Sequence, residues 1–294
     1  MPFVDEQITI WTAAKRGILD KVKHFVTSGT SVDARAKGGV TPLHEAAEAG
    51  QLEVANWLLD SGANINAKTD PQPGYPGAQT ALYLAVTAKK TDVVKLLLER
   101  GANPNHKSSD GMSPLGEAAG GGDLDLVRLL VKYRAKVNPG GDIPPLLAAL
   151  FARHIDIVRF LVDSGAAVTV KTIPFHCSLL MDTSSSKYLD GVNFLLDAGL
   201  NVNDQDDAGS TALHYAVLSF GNRTTSYGRN EKGEKIVTRD EPEDALPVVK
   251  RLLEVGADPT IRDKNGFTPL DYAKKFRAQS LLNLFSPIVT PKGN

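Results

Sequence analysis

The sequence contains a single cysteine, Cys177, among its 294 residues. One thiol cannot form an intramolecular disulfide, and it cannot supply a zinc site made of four cysteines. A secreted scaffold held together by disulfides is therefore excluded, and the lone thiol favours a reducing compartment. We expect the chain to work in the cytosol or the nucleus.

The chain also lacks an excess of either charge and any long apolar run. Lysine and arginine total 33 and aspartate and glutamate total 34, which leaves a formal net charge of -1. Nucleic-acid binders usually carry a basic surplus that neutralises phosphates, so we expect no nucleic-acid partner. The apolar runs are only a few residues long, and no basic and apolar leader follows Met1. Neither a membrane span nor a secretory signal is expected.

What the sequence has instead is one pattern repeated along its length. An apolar pair, an acidic residue, a variable residue and a glycine recur in stretches that begin at Leu58, Leu97, Leu161, Leu195 and Leu252. A variant copy, Leu129–Ala135, has Arg134 in place of the glycine. Each copy has a partner segment upstream, most of them rich in small apolar residues: Thr41–Ala47, Thr80–Val86, Ser113–Ala119, Pro144–Ala149, Thr211–Val217 and Thr268–Ala273.

These segments resemble the ankyrin repeat, a unit of about 33 residues whose first helix carries Thr-Pro-Leu-His-x-Ala. Gly101 and Arg134 are 33 residues apart, and Gly165 and Gly199 are 34 residues apart. The resemblance implies an all-α solenoid of about eight stacked helix-turn-helix repeats with short hairpin fingers. Stacking is required because one helix pair cannot bury its apolar face alone.

The chemistry of individual residues explains their positions in this pattern. Thr41 can cap a helix N-terminus with its hydroxyl, and Pro42 suits the first helical turn, where its missing N–H costs nothing. Gly62 can take the left-handed conformation that ends the second helix. Arg134 lacks that freedom, so the fourth repeat is expected to end under strain.

The predicted organisation is one ankyrin-repeat domain over residues 1–286 and a flexible tail over 287–294. The first repeat, at about 8–36, lacks Thr-Pro-Leu-His and is expected to be the N-terminal cap. The last repeat, at about 263–286, ends without a glycine and is expected to be the C-terminal cap.

Three departures from the pattern mark what is individual in this chain. A proline-rich insertion at about 69–79 lengthens one finger, and its Tyr75 is either a recognition element or part of a tolerated surface insertion. A polar insertion at about 219–244 either forms a hairpin that turns at Lys232 and Gly233 or stays a disordered loop, which we favour. The sixth repeat is degenerate, and Pro174–Leu179 stands where Pro-Leu-His-x-Ala-Ala is expected.

Residues with catalytic or metal-binding side chains have structural explanations. The resemblance implies that His44 and His214 hydrogen-bond the adjacent finger. The histidines and Cys177 lack the spacing of a metal site, so no metal and no cofactor is expected. Asn66, Asn105 and Asn203 match the finger asparagine that is hydroxylated in some members of the family.

The expected function is that of a monomeric, non-catalytic scaffold, adaptor or inhibitor that binds a protein or an extended peptide. Members of the family bind through their finger tips and the exposed face of their first helices, which form a concave surface. Carried over repeat by repeat, those positions predict the partner-binding residues Val40, Glu48, Tyr75, Gln79, Thr87, Met112, Phe151, Ser210, Leu218 and Phe267. The alternative is an enzyme with an unorthodox active site in this groove or in the sixth repeat, where Cys177, His176 and Asp182 would be the residues to test.

Overall fold

The computed structural model describes residues 8–72, 77–140, 143–172, 176–221, 225–229, 235–239 and 245–289. It divides into two compact units, Met1–Ala166 and Ala167–Asn294, which we call the N-terminal unit and the C-terminal unit. Within the described residues, five helix pairs form the first unit and three form the second. This confirms the all-α fold with about eight helix pairs, which we number as repeats 1 to 8. One continuous domain over 1–286 stays a prediction.

The N-terminal unit contains ten α-helices in two rows. The inner helices are α1 (Ile10–Lys15), α3 (Pro42–Ala49), α5 (Ala81–Thr87), α7 (Pro114–Gly120) and α9 (Pro145–Phe151). The outer helices are α2 (Leu19–Thr27), α4 (Leu52–Asp60), α6 (Thr91–Glu99), α8 (Leu124–Lys132) and α10 (Ile155–Asp163). A short 3₁₀ turn, Lys37–Gly39, precedes α3. Each inner helix packs against the next inner helix and against the outer helix of its own repeat.

The C-terminal unit follows the same plan. Its inner helices are α11 (Leu179–Ser185), α13 (Ala212–Gly221) and α15 (Pro269–Lys275), and its outer helices are α12 (Leu189–Asp197), α14 (Leu246–Glu254) and α16 (Gln279–Val289). Strand β1 (Lys171–Thr172) pairs antiparallel with β2 (Cys177–Ser178) in the finger before α11. Helix α16 continues through the first three residues of the predicted tail.

Most inner helices begin at hydroxyl caps, as the sequence predicts, whereas α9 begins after Pro144. The Ser113 hydroxyl accepts a hydrogen bond from the Gly116 N–H at 3.0 Å, and the Thr268 hydroxyl accepts one from the Asp271 N–H at 3.1 Å. Thr41 is the N-cap of α3, and proline follows the cap in α3, α7 and α15. These caps satisfy N–H groups that have no partner inside the helix, and they fix where each inner helix starts.

Small residues and leucines form the core between the rows. Ala46 and Ala47 have no exposed surface, which allows neighbouring helices to approach closely, and Leu58 and Leu97 are fully buried on the outer helices. Burying one leucine side chain contributes about 2 kcal/mol, so the recurring leucines supply much of the stability.

The outer helices end in left-handed residues. Gly62 and Gly101 have φ of +87° and +86°, and Arg134 has φ of +66° at the corresponding position. A residue with a Cβ is strained in that conformation. The predicted strain at the end of repeat 4 is confirmed.

Polar side chains tie each finger to the next one within a unit. The side-chain oxygen of Asn66 accepts the Asn103 N–H at 2.9 Å, and that of Asn105 accepts the Lys136 N–H at 2.7 Å. In the C-terminal unit, Asn203 accepts the Asp258 N–H at 2.8 Å. The asparagines therefore have a structural role, and their hydroxylation stays a prediction.

The first insertion is paired at its base. The Thr69 N–H donates to the Gln79 carbonyl at 3.0 Å, and the Ala78 N–H donates to the Thr69 carbonyl at 2.8 Å. The Gly77 N–H donates to the Ser109 hydroxyl of the next finger at 2.9 Å. Tyr75 lies outside the described residues, and its role in recognition stays a prediction.

The second insertion contains a β-hairpin, which corrects our preference for a disordered loop. Strand β3 (Thr225–Arg229) pairs antiparallel with β4 (Lys235–Arg239), and Tyr227 lies opposite Val237 in the register. The two paired strands agree with the hairpin that the sequence offered as an alternative. The turn predicted at Lys232 and Gly233 lies outside the described residues. The physical reason is that both segments are β-prone, and antiparallel pairing satisfies their backbone N–H and C=O groups.

Repeat 6 requires a correction of register. Its inner helix begins after the cap residue Ser178, whose hydroxyl accepts the Met181 N–H at 3.4 Å. Pro174–Leu179 therefore does not occupy the Pro-Leu-His-x-Ala-Ala positions; Leu179, Leu180 and Met181 occupy its first three.

No helix in the described part of the chain is long and apolar enough to cross a membrane.

Candidate functional site

Apart from Tyr75, which lies outside the described residues, the predicted binding residues fall at two positions that recur along the repeats. Val40, Gln79, Met112, Ser210 and Phe267 each directly precede an N-cap residue. Glu48, Thr87, Phe151 and Leu218 are each the seventh residue of an inner helix. We call the surface formed by these two positions in each unit its inner-helix face.

Two of the predicted residues have little exposed surface. Gln79 and Ser210 are each 7% exposed. The Gln79 carbonyl accepts a hydrogen bond from His44, and the Ser210 N–H donates to the Asp206 carboxylate at 2.7 Å. Because both residues are buried, we remove Gln79 and Ser210 from the candidate surface as a correction.

The other predicted residues keep accessible side chains. Phe151 is 52% exposed and Phe267 is 41% exposed, which places both among the few exposed large apolar residues of the described chain. Thr87 is exposed, and Val40, Glu48, Met112 and Leu218 are half-buried. Exposed aromatic side chains on a regular scaffold are typical of binding surfaces rather than of a core.

The inner-helix face of the N-terminal unit is charged at its beginning. The Lys15 ammonium lies 3.0 Å from the Glu45 carboxylate and 3.6 Å from the Glu48 carboxylate. The hydrogen bond to Glu45 raises the pKa of Lys15, and both carboxylates add to the effect. Val40 and Leu84 are the apolar residues of a cavity of about 340 Å³ that these charged side chains also line, and most of its other lining residues are polar.

Two glycines open a second cavity, of about 300 Å³, on α7. Gly116 and Gly120 are four residues apart and so share one helix face. A Cβ at position 116 would lie 2.6 Å from the Met112 sulfur, so Met112 occupies the space above Gly116. A Cβ at position 120 would meet only Ala148, at 3.6 Å and 4.0 Å. The absent side chain at 120 therefore leaves a notch beside Thr87.

The polar groups that line this notch already have partners within the fold. The Tyr83 hydroxyl donates to the Glu117 carboxylate, and burial raises the pKa of Tyr83. The Lys89 ammonium donates to the Gly121 carbonyl at 2.9 Å, and the Asp123 carboxylate accepts the Leu126 N–H at 3.0 Å. A ligand in the notch would therefore make mostly apolar contacts.

The inner-helix face of the C-terminal unit carries aromatic rings on its last repeat. The Phe267 and Tyr272 ring centroids are 5.4 Å apart, and those of Tyr272 and Phe276 are 6.4 Å apart. The Lys275 ammonium lies 5.8 Å from the Phe267 centroid, within the range of a cation–π contact. Sequence reasoning found only Phe267; the seventh-residue rule that selected Glu48 and Phe151 would also have selected Lys275.

The histidines of the Thr-Pro-Leu-His pattern hold the fingers, as predicted. His44 Nδ1 accepts the Thr41 N–H at 3.1 Å, so Nε2 carries the proton and donates to the Ala67 carbonyl at 3.0 Å. His214 makes the matching contacts to Thr211 and to the Phe267 carbonyl. Burial lowers the pKa of both histidines, which favours the neutral ring that this pattern requires.

The residues of the enzyme alternative have other partners. The His176 ring hydrogen-bonds the Asp207 carboxylate at 2.7 Å, and the Cys177 sulfur lies 3.1 Å from the Tyr215 hydroxyl. Burial raises the pKa of Cys177, which opposes formation of a nucleophilic thiolate. Within the described residues, no group of three or more histidine, cysteine, aspartate or glutamate side chains could hold a metal ion.

Comparison with known proteins agrees with this geometry. A family model described as ankyrin repeats (3 copies) matches residues 4–69, 82–172 and 146–226, and a single ankyrin repeat model matches residues 208–264. A putative ankyrin repeat protein of fowlpox virus is 30% identical over 175 residues, which cover 54% of this chain and 50% of that protein. Myotrophin of Xenopus tropicalis is 49% identical over 55 residues, which cover 19% of this chain and 46% of that protein.

The chain spans half or less of the length of these two relatives, and 10% of a putative ankyrin repeat protein of a mimivirus that is 36% identical over 100 residues. Among solved structures, the ankyrin repeat domain of Bcl-3 matches with a TM-score of 0.64 and 24% identity, covering 85% of this chain and all of that one. The human ASB11 ankyrin repeat domain matches with a TM-score of 0.58 and 24% identity, covering 70% of this chain and 90% of that one. At this identity the structural likeness concerns the fold. Together with the matched family models, it shows that the chain belongs to the ankyrin repeat family.

Proposed function

We propose that the chain is a non-catalytic scaffold, adaptor or inhibitor whose inner-helix faces bind a protein or an extended peptide. The observation that carries the proposal is the exposure of Phe151 and Phe267 at positions that are regular in the fold. Ankyrin repeats are generally protein-interaction modules, and the repeats extend over nearly the whole described chain.

The N-terminal face supports binding of an extended segment with mixed chemistry. Its Lys15 and Glu48 end offers charges, and its Gly120 notch and Phe151 offer apolar contact. Interfaces draw most of their affinity from a few anchors in such pockets, while charges at the rim contribute to specificity. Met112 and Thr87 border the notch and are the proposed contacts there.

The proposed setting is a monomer in the cytosol or the nucleus. The single thiol Cys177 is buried, which suits a reducing compartment and leaves no exposed described cysteine for an intermolecular disulfide. Light scattering of the purified chain tests the oligomeric state, since a dimer would occupy surface that the proposal reserves for a partner.

The binding proposal is tested by selecting random peptides, displayed on phage, against the immobilised chain. Selected peptides are then labelled, and their Kd is measured by fluorescence anisotropy on variants. Gly120→Phe fills the notch, and Met112→Glu and Phe151→Arg place charges beside it. We expect each to weaken binding by about tenfold or more.

Leu52→Arg is the matched control for Phe151→Arg. Leu52 is also a large exposed apolar residue, 43% exposed, but it begins the outer helix α4. The control should bind selected peptides as the parent does. Loss of binding in Leu52→Arg with retention in Phe151→Arg would place the site on the outer helices, and a selection that enriches no peptide would refute the proposal.

A further inference from the structure

The last repeat combines exposed aromatic rings with unpaired cations. Phe267, Tyr272 and Phe276 form a chain of ring contacts at centroid distances of 5.4 Å and 6.4 Å. Phe267 is exposed, and Tyr272 and Phe276 are half-buried. Aromatic pairs in this distance range stabilise one another, so the rings are held in place before any ligand arrives. We call Phe267, Tyr272, Lys275 and Phe276 the aromatic platform.

The segment that carries the aromatic platform has more cations than carboxylates. Residues 258–279 contain five cations, Arg262, Lys264, Lys274, Lys275 and Arg277, and three carboxylates, Asp258, Asp263 and Asp271. All five cations are exposed. Within the described residues, the structure pairs only Arg262 with a carboxylate, that of Asp271 at 3.6 Å. This segment is therefore net positive in a chain whose formal charge is -1.

The three carboxylates accept hydrogen bonds within this segment; Asp263 is buried, Asp271 is half-buried and Asp258 is exposed. Asp263 accepts the Phe267 N–H at 3.0 Å and the Tyr272 hydroxyl at 2.6 Å, Asp271 accepts the Thr268 N–H at 3.1 Å, and Asp258 accepts the Thr260 N–H at 2.8 Å. These donors stabilise the ionised carboxylates where they are. Lys275 instead lies against the Phe267 ring with an exposed ammonium. The charge that the platform presents to solvent is therefore cationic.

We propose that the aromatic platform binds an acidic segment of a partner protein that carries an aromatic or aliphatic side chain between its carboxylates. The apolar side chain packs on Phe267 and Phe276, and a neighbouring carboxylate pairs with Lys275. The proposal rests on the proposed function, because it assigns partner chemistry to one part of the same inner-helix face. Protein is favoured over single-stranded nucleic acid, because a net excess of two cations is small for a phosphate backbone.

The test uses the whole chain and defined probes in fluorescence anisotropy. The main probe is a short fluorescein-labelled peptide in which aspartate and glutamate alternate with phenylalanine. Its controls are the same peptide with asparagine and glutamine for the acids, the same peptide with serine for phenylalanine, and a labelled oligo(dT). We expect the acidic aromatic peptide to bind at least about tenfold more tightly than each control. Its affinity should fall with rising salt, because exposed charges are screened.

Variants locate the binding. Phe267→Ala and Lys275→Glu should each weaken the binding of the acidic peptide by about tenfold or more. Lys274→Glu makes the same charge change one residue earlier on α15 and should have a clearly smaller effect, since it faces another direction. Phe151→Ala removes an exposed phenylalanine from the N-terminal unit and should have none. Phe267→Ala keeps the backbone bonds of Phe267 with His214 and Asp263, and an unchanged circular dichroism melt verifies the fold.

The outcomes separate this inference from the proposed function. Equal binding of the neutral peptide, or no effect of Phe267→Ala, refutes the acidic partner. Tighter binding of oligo(dT) replaces it with a nucleic-acid ligand. If display-selected peptides depend on Phe151 and Gly120 while the acidic peptide does not bind, the proposed function stands and the platform assignment fails. If neither kind of peptide responds to any inner-helix variant, both fail.

Discussion

Repeat 2 and repeat 6 have inner helices of eight and seven residues and outer helices of nine residues each, but they differ in the side chains at the positions that the pattern fixes. The inner helix of repeat 2 begins Pro-Leu-His, with His44 linking its own cap to the neighbouring finger. The inner helix of repeat 6 begins Leu-Leu-Met, and the Met181 sulfur accepts the Ser178 N–H at 3.3 Å. Methionine thus replaces the cap contact of the histidine with a weaker acceptor. The thioether has no N–H, so Met181 cannot donate the hydrogen bond that His44 makes to the finger.

The two repeats also differ in what they bury. Ala46 and Ala47 of repeat 2 correspond to Thr183 and Ser184 of repeat 6, and all four are at most 1% exposed. The hydroxyls of Thr183 and Ser184 have no hydrogen-bond partner. The comparison teaches that stacking against neighbours can maintain a repeat whose own sequence has lost its best contacts.

The largest expected effect comes from the histidine itself. His44→Leu leaves the buried Thr41 N–H and the Ala67 carbonyl without their partner, and it leaves the Gln79 carbonyl with only the Thr69 N–H. We expect a loss of about 2–4 kcal/mol in the free energy of unfolding. Met181→Leu conserves volume and removes only the weak sulfur contact, and should cost less than about 1.5 kcal/mol. Urea unfolding, with hydrogen exchange measured at α3 and α11, separates the two. Equal losses would mean that the histidine is no more important than its replacement.

The second prediction restores repeat 6 to the pattern of repeat 2. Thr183→Ala combined with Ser184→Ala removes two unpartnered buried hydroxyls, and we expect a gain of about 1–2 kcal/mol in the free energy of unfolding. Ser219→Ala is the matched control, because the buried Ser219 hydroxyl donates to the Ala216 carbonyl at 2.8 Å. The control should be neutral or destabilising by about 1 kcal/mol. A destabilised double variant would show that the hydroxyls have a function in the fold.

The fold was predictable because caps and glycines recur at fixed spacing. Thr41, Thr80, Ser113 and Thr268 mark where helices start, and no tertiary information is needed to find them. The register of repeat 6 was not predictable in this way. Ser178 is the only recognisable signal for the start of its inner helix. At the end of that helix, Lys187 with φ of +58° takes the place that Gly50 holds in repeat 2.

The candidate surface was predictable by position but not by exposure. The rule that selected Phe151 and Phe267 also selected Gln79 and Ser210, which are buried. Exposure depends on how neighbouring segments pack around a position, and the sequence pattern does not encode that. Sequence reasoning missed Phe276 because its place in the candidate surface depends on contact with the Tyr272 ring, which only the structure shows.

The third prediction concerns pH. Burial lowers the pKa of His44 and His214 in the folded chain, so the unfolded chain takes up protons at higher pH than the folded one. Their contribution to stability is complete above the ordinary histidine pKa of about 6.5 and decreases as the pH falls below it. Repeat 6 has methionine at this position, so the His44→Met, His214→Met double variant should show a shallower decrease between about pH 7 and 5 in urea unfolding.

The double variant should keep some decrease of stability between pH 7 and 5, because burial lowers the pKa of His106 too. The carboxylates with lowered pKa, such as Asp263 and Asp271, act at more acidic pH and do not confuse the measurement. An unchanged slope in the double variant would mean that the neutral form of the two rings is not required by the fold.

The smallest expected effect tests the same idea at the end of an outer helix. Arg134 has φ of +66° where Gly101 has +86°, so Arg134→Gly removes backbone strain at the end of repeat 4. The glycine also gives the unfolded chain more freedom, which offsets part of the gain, and we expect a net stabilisation of about 0.5–1 kcal/mol. The Asn105 amide bonds the backbone carbonyl at position 134, so that contact survives the substitution. The reciprocal variant Gly101→Arg should destabilise by about 1 kcal/mol or more. If Arg134→Gly is instead destabilising, the arginine side chain makes contacts that outweigh the strain, and repeat 4 tolerates its departure from the pattern for a different reason from repeat 6.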